Sequence, residues 1–343
     1  MRAAVLTNFG GAHALKVLEN IPLPVCREHE VLVKVAAAAI NPIDCRIRAG
    51  YGGDFYGRML PLVLGRDVSG EVVSAGSSAR KFSIGTQVFG ALSALTSRGS
   101  HAEYVAVPEA HLTEKPDCLT HEEASAIPFA ALTAWRALFV VCRVQKGDRI
   151  LVIGGDSSVG TAAVQLAQAC GCQVAASRRP NSLSYKYLRR SWVDYSNDDH
   201  ILASAVNNIN LKRSGVFDVV FDTTGAHLSA LAKAELLRTG TGQYVTLHGM
   251  LASSVEENGF FAGGTKATFE LARRKVTHRI NVNTQYHWSV SRQDASAIAE
   301  IGQLARSGLL QIDLGTKLPL FDIARAHLIM EGSAHRGKVV ILP

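Results

Sequence analysis

The sequence predicts an α/β protein in which a doubly wound parallel sheet is inserted into a compact, β-rich module. Three observations carry this. Short strand-like runs punctuated by glycine fill the chain up to about residue 120. There the composition shifts, and strand and helix patterns alternate onward to about residue 286. The closing run Gly337-Lys338-Val339-Val340-Ile341-Leu342 then reads as a strand that completes the first module's sheet. At 343 residues the chain is long for one core. The expected division is 1–123 with 287–343 for the β-rich module and 124–286 for the inserted one.

Taken in order, Ala3–Leu6, Leu15–Leu18 and Glu30–Val35 read as strands, the last through the alternation of Val31, Val33 and Val35. Asn41-Pro42 opens a short helix, with proline early in its first turn. Pro61–Val73 joins a loop to another strand, and Gly99–Val105 supplies the next. Thr120 followed three residues later by Glu123 has the form of a capping box, ahead of the helical run Ala130–Leu138. Strands are expected at 149–153, 173–177, 216–222, 242–248 and about 278–284. Helices near 292–307 and 322–331 flank a strand at Thr316–Leu320 in the tail.

Composition narrows the class. With 47% hydrophobic and 19% charged residues the chain reads as a soluble globular protein, and no uninterrupted apolar run is long enough to span a bilayer. The strand pattern begins almost at Met1, which leads to the expectation of a cytoplasmic protein. A net charge of +7 is carried by scattered residues without an aromatic-basic pattern, so a primary role on nucleic acid is not expected. The six cysteines form no C-x-x-C pair and read as reduced, mostly buried thiols.

The stretch from Arg149 to Ala167 is the most informative. It reads as a buried strand, a tight glycine turn and an alanine-rich helix, which is what a dinucleotide-binding crossover requires. The turn brings N–H groups to a helix N-terminus, where partial positive charge favours a pyrophosphate. Gly154 and Gly160 hold the outer positions of a G-x-x-G-x-x-G pattern, Ser157 holds the middle one, and Asp156 adds a carboxylate.

The order of motifs resembles the medium-chain dehydrogenase/reductase superfamily, and more narrowly its zinc-free quinone oxidoreductase (zeta-crystallin-like) branch. The resembling pieces are Asn41-Pro42-Ile43-Asp44, Leu64-Gly65-Arg66-Asp67-Val68-Ser69-Gly70, Gly99–Tyr104, Ala130–Trp135, the glycine turn, Phe221–Gly225 and Gly337–Val340. The resemblance implies a Rossmann dinucleotide-binding domain inserted into a GroES-like substrate domain. Zinc-dependent members place a cysteine where Asn41 stands and a Gly-His-Glu triplet where Gly65-Arg66-Asp67 stands. A catalytic zinc needs about three Cys, His or carboxylate ligands, so the resemblance implies a zinc-free site.

The implied cofactor is NADPH. The strand after the glycine helix ends in Ser177-Arg178, where an NAD site usually presents an acid, and these two suit a 2′-phosphate with Arg179, Lys186 or Tyr195 as helpers. A solvated basic turn is the alternative. Ser158 and Val159 belong to the same turn, and Lys338 of the closing motif is placed with the cofactor. The resemblance puts Thr133 near the nicotinamide, and Thr223–Gly225 and Leu247–Gly249, His248 included, near its ribose and carboxamide. Thr133 could equally bond its own helix backbone. Asn41, Asp44 and Tyr51 are implied to line the reaction site as catalytic residues, although Asn41-Pro42 also makes sense as a turn alone. Among possible acids, His101 and His248 have no partner in sequence, and Tyr51 or water could supply a proton.

The implied reaction is hydride transfer to a quinone or an α,β-unsaturated carbonyl, with the protein orienting the cofactor and excluding water. The alternative is an NADPH-binding structural, RNA-binding or assembly protein with little turnover. A homodimer is expected, paired through the strand around 278–284.

Overall fold

The computed structural model describes residues 1–178, 192–194, 217–225, 236–248, 260–332 and 336–343, with the backbone alone at 178, 192–194, 260–263, 281 and 282. The chain forms two compact units, Met1–Leu132 with Ser291–Pro343, and Thr133–Val290. The first division falls inside the helix Pro128–Trp135, later than the shift in composition near residue 120 suggests. Helix-forming apolar sequence runs across it without a break.

In the first unit, β1 (Ala3–Leu6) pairs antiparallel with β2 (Leu15–Leu18). The longest strand is β3 (Glu30–Ala39), in which Val31, Val33 and Val35 are buried while Lys34 and Ala36 face solvent. Helix α1 (Pro42–Ala49) follows, with proline at its first position and Gly50 ending it in the left-handed region. A short α2 (Gly53–Tyr56) leads to β4 (Leu62–Val63), which returns to pair with β1. The main sheet is then built by β5 (Asp67–Ala75), β6 (Gln87–Ala91), β7 (Tyr104–Pro108) and β8 (Leu112–Glu114). Valines of β3, β5, β6 and β7 interlock with Phe82 and Leu112 as its core.

Thr120 caps α3 (His121–Ala126), accepting from the Glu123 N–H while the Glu123 carboxylate takes the Thr120 N–H, so the capping box forms. Helix α4 (Pro128–Trp135) continues into a π-helical turn, Arg136–Val141. By length and composition the stretch His121–Val141 could cross a membrane, yet 67% of its apolar window is buried in the protein, as in a core helix.

Among the described residues the second unit carries six strands: β9 (Arg149–Ile153), β10 (Gln173–Arg178), β11 (Trp192–Asp194), β12 (Val219–Asp222), β13 (Gln243–Thr246) and β14 (Gln285–Trp288). All pair in parallel in the order β11-β10-β9-β12-β13-β14. Sequence order therefore reverses between β9 and β12, the switch point at which doubly wound sheets bind nucleotides. Ile150–Ile153 are buried on both faces, as a central parallel strand requires. Helix α5 (Ser158–Ala169) makes the crossover from β9 to β10.

One expected strand is corrected. Residues His278–Val282 continue helix α6 (Phe260–Thr277) as a π-helical turn, and Asn283 at φ 50° ends it, so the outer strand begins only at Gln285. The β-branched and asparagine-rich run Ile280–Thr284 looks extended in sequence. A long preceding helix and an asparagine able to take the left-handed conformation override that preference.

The chain ends in the first unit with α7 (Ala295–Arg306), β15 (Leu314–Pro319), α8 (Ile323–Glu331) and β16 (Lys338–Leu342). β16 pairs antiparallel with β3, Val340 opposite Ala39, so the tail does complete the N-terminal sheet.

Candidate active site

Two polar constellations stand out, one in each unit. In the second unit, the turn after β9 sits at the switch point. Gly154 has φ +75°, and a Cβ there would lie 2.5 Å from Thr223 Oγ1; a Cβ on Gly160 would run into the Gly154 carbonyl. Both positions therefore require glycine. Ser157 is the N-cap of α5, with its Oγ accepting from Gly160 N–H at 3.0 Å and donating to Gly154 O at 2.8 Å. The missing middle glycine is thus replaced by a cap. Ser158 and Val159 open the helix, where first-turn N–H groups have no intrahelical acceptor and can meet a phosphate. Asp156 is half-buried beside them.

The opposite wall of the crevice is the turn after β12. Asp222 is buried and builds it: Oδ1 accepts from Thr224 N–H at 2.8 Å, Gly225 N–H at 3.0 Å and Thr224 Oγ1 at 2.8 Å. Its Oδ2 accepts from Tyr244 Oη at 2.6 Å. Thr223 Oγ1 donates to Ile153 O at 2.8 Å, tying the wall to β9. His248 reaches Thr223 O through Nε2 at 3.0 Å, and its ring backs Gly225. The structure thus gathers Gly154, Ser157, Ser158, Val159, Gly160, Thr223, Gly225 and His248.

In the first unit the constellation is ionic and buried. Lys338, at the start of β16, places Nζ 2.5 Å from Asn41 Oδ1 and 3.1 Å from Asp67 Oδ2. Asn41 Nδ2 donates to the same Asp67 oxygen at 2.8 Å, and Phe129 N–H donates to Asp67 Oδ1 at 2.7 Å. Burial pushes the Asp67 carboxyl up from its usual range, against the pull of Lys338 and these hydrogen bonds. Beside it, Arg66 is fully buried, 3.7 Å from Asp44 through Nε, with Nη1 bonded to the carbonyls of Ser93 (3.0 Å), Thr96 (3.3 Å) and Arg98 (3.4 Å). Arg66 thereby pins the loop 93–98, helped by Tyr56 Oη on Ala94 O at 2.8 Å.

Several expectations need correction. Asp44 does not line an open site: it is buried, with Oδ2 accepting from Asn41 N–H (2.9 Å) and Oδ1 from Gly65 N–H (3.1 Å). Its place in the first turn of α1 turns it back onto the helix start. Ser177 is also buried, and its Oγ accepts from Gly154 N–H at 3.0 Å, so it shapes the glycine turn instead of facing a phosphate. Lys338 is held by Asn41 and Asp67. His101 is buried and held down to about 3 by burial and the nearby Arg66, so it is neutral at physiological pH and no proton donor. The thiols are less buried than expected: all six are free, only Cys45 and Cys142 are buried, and Cys118 is exposed.

Tyr51 is half-buried in the turn after α1, and Thr133 is buried on α4. The side chain of Arg178, and Arg179, Lys186, Tyr195 and Gly249, lie outside the described residues. Sequence reasoning missed Asp222 with Tyr244, and the ion pair of Asp67 with Lys338. The Gly65-Arg66-Asp67 triplet was the available signal for the latter. Among the described residues no group of three or more His, Cys, Asp or Glu side chains is placed to hold a metal.

Comparison with known proteins decides the family. Residues 27–117 match the alcohol dehydrogenase GroES-like domain, and 191–341 match the zinc-binding dehydrogenase model. A zebrafish protein (Danio rerio) named NAD(P)H oxidoreductase RTN4IP1, mitochondrial, is 30% identical over 99% of this chain and 91% of its own. The chain belongs to the medium-chain dehydrogenase/reductase superfamily, among its quinone oxidoreductase-like members. A Pongo abelii quinone oxidoreductase is 28% identical over 100% of this chain and 98% of its own. The structure of a quinone oxidoreductase from Coxiella burnetii superposes with a TM-score of 0.79 at 26% identity, over 100% of this chain and 99% of that one. A mycobacterial protein solved with NADPH does so at 0.76 and 26%, over 100% of both. This member of the superfamily is accordingly an NAD(P)H-type oxidoreductase with a GroES-like domain and a Rossmann-like parallel sheet. The zebrafish relative's name carries a mitochondrial address, unlike the cytoplasm expected from sequence.

Proposed function

We propose that the protein is an NADPH-dependent, zinc-independent reductase of quinones or α,β-unsaturated carbonyls. The observation that carries this reading is the crevice between β9 and β12, with its obligatory glycines, first-turn N–H donors and an arginine at the end of the neighbouring strand. A reduced nicotinamide bound there supplies a hydride to an electrophilic acceptor. The N–H groups of Ser158 and Val159 would hold the pyrophosphate, Arg178 the 2′-phosphate, and Thr223, Gly225 and His248 the ribose side.

Zinc independence is supported by the donor set of the first unit. Asn41, Arg66 and Asp67 stand where zinc-dependent members carry cysteine and a His-Glu pair, and the Lys338 ammonium already lies against Asn41 and Asp67. A dication there would meet a resident positive charge. Quinones and enones suit such a site because they are electrophilic without a metal or a strong acid.

NADPH absorbance followed with 9,10-phenanthrenequinone, 1,4-benzoquinone and a short enone tests the reading; binding of NADPH with oxidation by none of them would overturn it. Arg178→Ala is expected to raise KM for NADPH about tenfold or more while KM for NADH moves little. Equal rises would remove the 2′-phosphate assignment.

A further inference from the structure

Helix α5 ends in a pair of cysteines that the nucleotide crevice does not use. Cys170 is its C-cap, Gly171 follows in the left-handed region at φ 83°, and Cys172 leads into β10. The Gly171 N–H donates to Gln168 O at 2.9 Å and the Cys172 N–H to Ala167 O at 3.0 Å, the two closing bonds of a Schellman cap. A Cβ at 171 would also press on the Lys146 side chain at 3.1 Å. The cap thus asks for glycine at 171 and for no particular side chain before or after it, yet both flanking residues carry thiols. The turn folds them together, and a hydrogen bond joins Cys170 to Cys172. Both are half-buried, and Gln168, Ala169, Gly171 and Gln173 around them are exposed, so a small reagent has access.

We propose that Cys170-Gly171-Cys172 is a dithiol–disulfide exchange site for low-molecular-weight disulfides such as oxidised glutathione, with Cys170 attacking and Cys172 resolving. The order follows from the surroundings. Cys172 Sγ lies against Gln145 O at 3.3 Å. Burial first, and then charge on Cys170, pushes the Cys172 thiol up to about 12. The thiolate is the nucleophile, so the attack falls to Cys170. Its sulfur bonds to one sulfur of the reagent, whose S–S bond breaks and releases one thiolate. Cys172 then attacks the Cys170 sulfur, closing the intramolecular disulfide and releasing the second thiolate. Two electrons pass from the cysteine sulfurs to the reagent, and the two cysteine protons end on the two released thiols. Helix α5 has 12 residues and is about 18 Å long, which sets the pair at the far end from the glycine turn and apart from hydride transfer. A disulfide closing so short a loop stabilises little, and an exposed one is readily reduced. Both properties suit a reversible site better than a structural staple.

The test equilibrates the reduced full-length protein with glutathione and its disulfide, blocks remaining thiols with N-ethylmaleimide and cuts with trypsin. Both cysteines fall in one tryptic peptide, Ile150–Arg178. The peptide is expected to lose two hydrogens, to carry neither glutathione nor maleimide, and to be restored by dithiothreitol. Exposed Cys118 serves as the reference thiol in the same sample. Cys172→Ser should trap glutathione on Cys170. Cys170→Ser should take up glutathione at least about tenfold more slowly, because the burial that keeps Cys172 protonated persists in that variant. A wild-type peptide that stays blocked at both cysteines, or that ends as a stable glutathione adduct, overturns the proposal without recourse to any variant. Equal rates in the two serine variants overturn the assignment of attacking and resolving thiols.

Discussion

Asp67 and Asp222 are both fully buried, yet the chain satisfies them in opposite ways. Asp222 ends a strand, so the turn that follows can fold its N–H groups back onto the carboxylate; three of its four bonds come from two and three residues away. All four donors are neutral. Asp67 begins a strand, and its neighbours' backbone groups belong to the ladder with β6. Its partners must come from distant segments, Asn41, Phe129 and Lys338, and one of them brings a full charge. A carboxylate at a strand's end builds its own turn, whereas one at a strand's start ties remote parts of the fold together.

The two sites should answer differently to the same substitution. Asp67→Asn strands the buried Lys338 ammonium and is expected to cost about 3–5 kcal/mol. Asp222→Asn keeps an oxygen for Thr224 and Gly225 and offers an amide that Tyr244 Oη can accept, for about 1–2 kcal/mol. Urea unfolding of both variants at pH 7.5 measures the difference, and equal costs would break the contrast.

Acid should sharpen it. His101 and His327 are buried in the first unit, rings edge to face with centroids 5.8 Å apart. Each is held down to about 3, His101 by burial and then Arg66, His327 by burial and then His101. In the unfolded chain both titrate near 6.5. Between those values the unfolded state binds more protons, so their contribution is complete above about pH 6.5 and is lost progressively as pH falls toward 3. Going from pH 6.5 to 5.0 should cost about 2 kcal/mol per histidine. Amide exchange across that range is expected to loosen β3 and β5 before β9 and β12. His101→Leu should roughly halve the first unit's pH slope, and an unchanged slope would count against the assignment.

Much of this was legible in the sequence wherever one segment determined its own structure. The alternation of β3, the apolar run of β9, the Thr120–Glu123 box and the glycine turn all depend on residues within a few positions. Partners far apart in sequence were not legible. Lys338 and Asn41 are 297 residues apart, and no pattern announces their bond. Asp44 was misread for a related reason: proximity to Asn41-Pro42 suggested an open site, whereas the fold brings Gly65 and Arg66 over it. The run at 278–284 failed differently, because local extended preference there competes with the helix that precedes it. Ser177 was read by position alone, and the Gly154 N–H it accepts appears only when two strand ends meet.

The smallest expected effect concerns Ser157, the residue that departs from the glycine pattern. In the neutral-donor region stability is divided among many modest bonds, so removing one should be mild. Ser157→Ala deletes the N-cap of α5 and should cost about 1 kcal/mol, whereas Ser157→Gly, which restores the glycine spacing, should cost only a few tenths. In a thermal melt that is a fall of about 2–4 °C for alanine and less for glycine. Both variants release Gly160 N–H from Ser157 Oγ, leaving it available to a phosphate. The upward shift in melting temperature on adding NADPH is therefore expected to persist in both. If either variant instead lost NADPH affinity by more than about tenfold, Ser157 would be a ligand of the pyrophosphate as well as a cap. The turn would then share with the Asp67 cluster a dependence on one decisive side chain.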